Sequence, residues 1–230
     1  MGTRTGQDPA EDPPGLLGPR SHRESNEVAR KLARLREPHV APLTAFVERL
    51  RVERGGGEAV PWFDPAEAGT RARILILLEA PGPRATGPGG PRPASAGSGI
   101  ISPDNDDQSA ANMWHLLREA GIERARDVVT WNVVGWYVGD GTRIRAVTVR
   151  DMDEARESLR ALIRLLPNLR VVVLLGRKAS RAWARAAPAS GVEVVEAPHP
   201  SPRALNGRPD RRRAIFDALL SARAALRPRT

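Results

Sequence analysis

Three polar residues in this chain stand where short apolar runs end, and each is of a type that could do chemistry. His199 lies in Ala197-Pro198-His199-Pro200-Ser201-Pro202. Prolines on both sides fix its backbone and forbid a helix. A rigid loop holds an imidazole in a binding geometry at little further entropic cost. Such a histidine could donate a hydrogen bond to a leaving group, and Ser201 could bind a phosphate; the alternative is a proline-rich turn with an incidental histidine. Glu79 follows the apolar run Ile74 to Leu78 and opens the turn Glu79-Ala80-Pro81-Gly82. Its carboxylate could position a water or stabilise a developing cation, or it could be a solvated turn residue. Asn132 stands near the end of the run Val128 to Val134.

The surrounding pattern predicts the elements that must hold these residues. Ile74 to Leu78, Val128 to Val134, Val171 to Leu175 and Val192 to Val195 read as four strands, the continuous runs among them buried on both faces. Helical stripes alternate with them. Met113, Leu116 and Leu117 form one, with Ser109 as a candidate N-cap and Gly121 as the stop. A second carries Leu159, Leu162, Ile163 and Leu166, capped by Thr148 or Asp151. A short helix is expected around Ala179 to Ala186. The last runs from about Pro209 to Leu226, with Ile215, Phe216, Leu219 and Leu220 inward. Two further amphipathic stripes precede the first strand: Val28, Leu32 and Leu35, then Leu43, Phe46, Val47 and Leu50. This alternation predicts a three-layer α/β/α sandwich around a mainly parallel four-stranded sheet. In such sheets, sites form beyond the carboxyl ends of the strands, where Glu79, Asn132, Gly176 and His199 fall.

Residues 1–24, with Pro9, Pro13, Pro14 and Pro19, read as a disordered tail, and 25–230 as one domain. The chain has 230 residues and no cysteine, which excludes disulfides, thiolate nucleophiles and cysteine-held metals or iron–sulfur clusters. His22, His39, His115 and His199 share no metal-ligand spacing, so no metal is expected. No apolar run nears the roughly 20 residues that a membrane helix needs, and no signal peptide is visible. The expectation is a soluble, cytoplasmic, nucleoid-associated monomer. Of the net +9, nearly all falls after Leu175. A basic surface there suits a polyanion such as nucleic acid, though a general preference for Arg, Ala, Gly and Pro would also produce it.

Taken in order, these motifs resemble the uracil-DNA glycosylase superfamily over roughly residues 70 to 225. Glu79-Ala80-Pro81-Gly82 resembles the first motif of its thermophilic-type families, and His199-Pro200-Ser201 the second motif of the superfamily. Trp131-Asn132-Val133-Val134 stands where the family has a strand bearing a uracil-reading asparagine, and Gly176 also has a counterpart. The resemblance implies a flipped-out nucleotide in the pocket. Asn132 would pair with N3 and O4 of uracil. His199 would hydrogen-bond O2 and stabilise the departing anion. Glu79 would orient water at C1′ or stabilise its cation, and backbone near Ala80, Pro81 and Gly82 would fix the base. Ser201, Arg203 and Arg177 would contact DNA, and no cofactor would be required. The partner would be DNA containing a deaminated base.

The chain departs from that pattern in several places. Leu78 stands where the thermophilic-type motif has Gly, and the cluster cysteines are absent. The family's stacking phenylalanine is replaced by Ile100 or Ile101, which gives up an aromatic contribution on the order of 1–3 kcal/mol. Arg203 takes the place of the usual leucine wedge, with Leu205 two residues on as a substitute. Hypoxanthine or another deaminated purine is therefore an alternative substrate, and a non-catalytic binder of lesion DNA an alternative function. A nucleotide-using Rossmann enzyme fits less well, since no glycine-rich phosphate loop follows the first strand. Asp104-Asn105-Asp106-Asp107 could hold a water or read the base, or favour the next helix's N-terminus. Trp136 and Tyr137 could line the pocket rim or be ordinary packing.

Overall fold

The structure is a computed structural model and describes residues 18–57, 59–91, 97–139, 143–186 and 191–227. Two helices, α1 (Ser25–Leu32) and α2 (Ala41–Glu53), precede a two-residue strand β1 (Trp62–Phe63) and the first long strand β2 (Ile74–Leu78). The short β3 (Ile100–Ile101) leads into α3 (Gln108–Glu119), the single turn α4 (Arg124–Asp127) and β4 (Val128–Asn132). Then follow α5 (Val149–Arg164), β5 (Val171–Leu175), α6 (Arg177–Ala186), β6 (Glu193–Ala197), the turn α7 (Pro202–Leu205) and α8 (Pro209–Ala224). The main sheet has the order β4-β2-β5-β6 and is parallel throughout. β1 and β3 pair in parallel as a separate ribbon.

The three layers follow from the two-residue period of a strand. Leu75, Leu77, Val129, Trp131, Val172 and Leu174 face one way, into a core shared with α2, α5 and α6. Ile74, Ile76, Val128, Val171, Val173 and Leu175 face the other way, against α3 and α8. With both faces covered, the central strands need apolar residues at every position, which is why their sequences run unbroken. Phe63 of the ribbon stacks on Trp131 at 3.9 Å between centroids and joins β1 to the first core.

Several boundaries differ from expectation for local reasons. α3 starts at Gln108 because Asp107, not Ser109, is its N-cap, accepting from the Ala110 N–H. Thr148 caps α5 in a reciprocal box with Asp151. Leu220 is exposed, because the inner stripe of α8 runs through Ile215, Ala218, Leu219 and Ala222. On α1 the buried residue is Lys31 and Leu32 is exposed. An ion pair sets that face: the Lys31 ammonium lies 2.7 Å from Asp64 and 2.6 Å from Asp104. Of the expected tail, residues 1–17 lie outside the described residues. Gly18 to Glu24 holds a 3-10 turn over Ser21–Arg23 with His22 buried.

Candidate active site

The carboxyl ends of β2 and β4, with the loop after β6, close around a cleft of about 370 Å³. Ala80, Pro81, Gly82, Ile101, Asn132 and His199 line it. Parallel strands put these ends on one edge of the sheet, so residues far apart in sequence meet without any long excursion of the chain. The register sets Leu78 beside Asn132.

His199 is positioned from three sides. Its Nδ1 accepts the Ser201 N–H at 3.1 Å. A ring nitrogen that accepts carries no proton, so in the neutral ring the proton is on Nε2 and available to donate. Burial pushes the His199 pKa below its ordinary value, with Glu79 and Asp107 pulling the other way, so the neutral ring is the working form. Behind it, Gly176 has φ +96°, and a Cβ there would lie 3.3 Å from the His199 Cβ. Asn112 on α3 donates from Nδ2 to the Pro200 carbonyl at 2.8 Å and ties the loop to the second helical layer. Nothing in the sequence pattern marks Asn112, whose partner is 88 residues away.

Asn132 is the last residue of β4 and is 3% exposed. Its amide oxygen is buried without a hydrogen-bond partner among the described residues. An unpaired buried acceptor costs free energy, and such groups persist where a ligand supplies the missing donor. The neighbouring residue on the same face of β4, Thr130, also borders the cleft and is held by Glu67, which accepts from its N–H at 2.7 Å and its hydroxyl at 2.8 Å.

Glu79 stands beside the cleft and outside its lining. Its Oε1 accepts from Lys178 Nζ at 2.5 Å and, at 3.4 Å, from the Val147 N–H. Lys178, in the first turn of α6, escapes sequence reasoning; only its place just after a strand end hints at it. Ile101 lines the cleft and Ile100, fully buried, does not, as alternation along β3 requires. Ser201 is the N-cap of α7, Arg203 is exposed beside it, and Arg177 is exposed at the start of α6. Leu205 is partly buried against the core under α8.

The acidic run is mostly accounted for by structural partners. Asp107 caps α3, Asp106 pairs with Arg23 at 2.7 Å, and Asp104 pairs with Lys31 and with Arg124 at 2.8 Å. His22, Asp64 and Asp104 present ligand atoms within 4.8 Å of one another. The Lys31 ammonium and the Arg124 guanidinium already occupy the cation positions of that cluster, so its donor set does not suit a metal ion. Burial pushes the Asp64 carboxyl up, and the charges of Lys31 and Arg124 more than offset this and hold it well below the usual carboxylate range. Trp136 and Tyr137 are buried, Trp136 beneath the Arg54 guanidinium, and belong to the packing.

Comparison with curated proteins gives no match. The family model described as "Uracil DNA glycosylase superfamily" matches residues 65–220. That span runs from the segment before β2 to α8 and contains every residue named on the cleft wall. The chain belongs to the uracil DNA glycosylase superfamily.

Proposed function

We propose that the protein is a monofunctional DNA glycosylase that hydrolyses the N-glycosidic bond of a deaminated base, uracil foremost. One observation carries this reading: Asn132, whose buried amide oxygen has no partner among the described residues, and His199, whose Nδ1 accepts and so leaves the proton on Nε2, line one cleft. A base flipped from the stack fills both needs. The imide N3–H of uracil donates to the Asn132 oxygen, and the Asn132 amide donates to O4. Cytosine presents the reverse pattern there and leaves two like groups opposed. His199 donates from Nε2 to O2. As the C1′–N1 bond breaks, its electron pair goes to the base, and the charge gathering on O2 strengthens that hydrogen bond. Water then adds to C1′ and gives up a proton. Glu79, held by Lys178, orients the water and accepts that proton. Arg177, Ser201 and Arg203 contact the flanking phosphates, and the protein works as a monomer.

A second base fits the same reading. Hypoxanthine offers N1–H and O6 in the order in which uracil offers N3–H and O4, so Asn132 accepts either. The aliphatic Ile101 in place of an aromatic wall favours shape tolerance over stacking. The test is base release from oligonucleotides carrying uracil opposite G or A, uracil in single strands, and hypoxanthine. Release of uracil, hypoxanthine or both is expected, leaving an alkali-labile abasic site. Release from none of these substrates overturns the reading.

A further inference from the structure

We infer that the N-terminal segment Gly18–Glu24, outside the span matched by the family, is a working part of the base pocket, with His22 as a positioning residue for the Ile101 wall. This rests on the glycosylase reading above. The wall of the cleft that carries Ile101 is the loop from Ser98 to Asp107. Among its internal bonds is a staple that reaches across the loop, the carboxamide of Asn105, which is almost fully buried. Asn105 Nδ2 donates to the Ile100 carbonyl at 2.8 Å, and its Oδ1 accepts from Ser98 Oγ at 2.6 Å. The third bond comes from outside the loop: His22 Nδ1 lies 2.8 Å from the same Oδ1. The amide orientation is forced, because flipping it would set its oxygen against the Ile100 carbonyl, two acceptors facing each other. His22 must therefore donate from Nδ1.

The segment is anchored on both sides of that contact. The His22 N–H donates to the Asp104 carbonyl at 3.0 Å. Arg20 reaches Gln108 Oε1 at 2.6 Å, and Arg23 reaches Asp106 at 2.7 Å. Arg20 has φ 62°, and it is the one non-glycine with positive φ among the described residues. A side-chain-bearing residue adopts that conformation rarely, and here specific contacts hold it. The loop is tied in turn to the opposite wall, where Ser98 N–H bonds the Arg84 carbonyl at 3.1 Å and Gly97 N–H the Thr86 carbonyl at 2.8 Å. Displacing His22 loosens the staple and with it the spacing between the Pro83–Ala85 turn and Ile101. That spacing sets which base fits.

The test uses the full chain with three substitutions. His22→Ala removes the donor. His22→Asn places an amide N–H where Nδ1 was. Asp106→Asn weakens the outer anchor without opening the core. Two readouts are taken: the ratio of kcat/KM for uracil to that for hypoxanthine, and hydrogen exchange of the amides from Ser98 to Asp107. A ratio of this kind is independent of the fraction of protein correctly folded. His22→Ala is expected to shift it by about fivefold or more and to speed exchange across the loop. Asp106→Asn should shift both in the same direction by less, and His22→Asn should restore both. Unchanged exchange in His22→Ala and Asp106→Asn overturns the brace. Faster exchange with an unchanged ratio overturns the claim that the segment belongs to the pocket. If the unsubstituted protein releases no base, the glycosylase reading fails, and the exchange measurement still decides the brace.

Discussion

In the proposed reaction Asn132 and His199 work by opposite means, and substitution separates them. The Asn132 oxygen is a buried acceptor with no donor among the described residues, so it weakens the fold while serving the site. Asn132→Leu should therefore leave the melting temperature unchanged or raise it. Release of uracil should fall at least about a hundredfold, since a site built to pair with a polar edge loses both discrimination and rate when one partner goes. On the proposed mechanism, His199→Ala removes a donor to charge that appears only as the bond breaks, so kcat should drop by about 10²–10³ with little change in KM. Lys178 offers a third test. With its ammonium 2.5 Å from Glu79, Lys178→Met should slow base release about tenfold and Lys178→Arg should recover most of it, because arginine keeps the charge. Single-turnover rates check all three. Glu79 and Asn132 were legible in the sequence because each stands at the end of an apolar run that reads as a buried strand, and His199 because prolines flank it just after a shorter run. Lys178 and Asn112 were not, because their partners lie 99 and 88 residues away and no local pattern encodes such a pairing.

At the level of elements, the site depends on how closely β5 and the histidine loop approach each other. Gly176 permits that approach twice over: its φ of +96° disfavours any side chain, and a Cβ would stand 3.3 Å from that of His199. Gly176→Ala should cost about 1–3 kcal/mol of stability. It should also slow base release beyond what the folded fraction explains, because the neighbour that must give way is His199, the residue proposed to stabilise the leaving base. Chemical denaturation and active-site titration distinguish the two effects. β2, β4 and β5 were readable because a parallel sheet covered on both faces imposes unbroken apolar runs, whereas the edge strand β6 is mostly exposed and showed only a short run of valines. The β1–β3 ribbon was not, since two residues per strand carry no period. The inner face of α1 misled for a physical reason: Leu32 is exposed and Val28 only half-buried, while Lys31 turns inward to two carboxylates. Periodicity detects apolar burial and is blind to a buried charge whose partners lie elsewhere in the chain.

The charges of the whole molecule divide into a surface set and a buried set, and they respond to different variables. Arg203 is exposed beside the histidine loop and makes no ion pair among the described residues. If it meets a phosphate, Arg203→Ala should weaken DNA binding similarly across sequences and lower the slope of log K against log salt by about one. Titrations at several salt concentrations measure this. The buried set responds to pH. Burial lowers the pKa of His22 and His199 below 6.5, so both are neutral in the fold and take up protons on unfolding; their contribution is lost as pH falls below that value. Glu67 has the opposite sign. Burial pushes its carboxyl up from 4.5 to about 7 against the pull of Arg124. The folded state therefore binds a proton that the unfolded chain has already released. Stability from that proton is complete below about 4.5 and lost as pH rises through 7. Glu67→Gln keeps a neutral side chain that can still accept from Thr130. Relative to the unsubstituted protein, its melting temperature should rise steadily as pH goes from 4.5 to 7 and level off above. A difference that is flat across that range would mean that Glu67 is ionised throughout, and that Arg124 outweighs its burial.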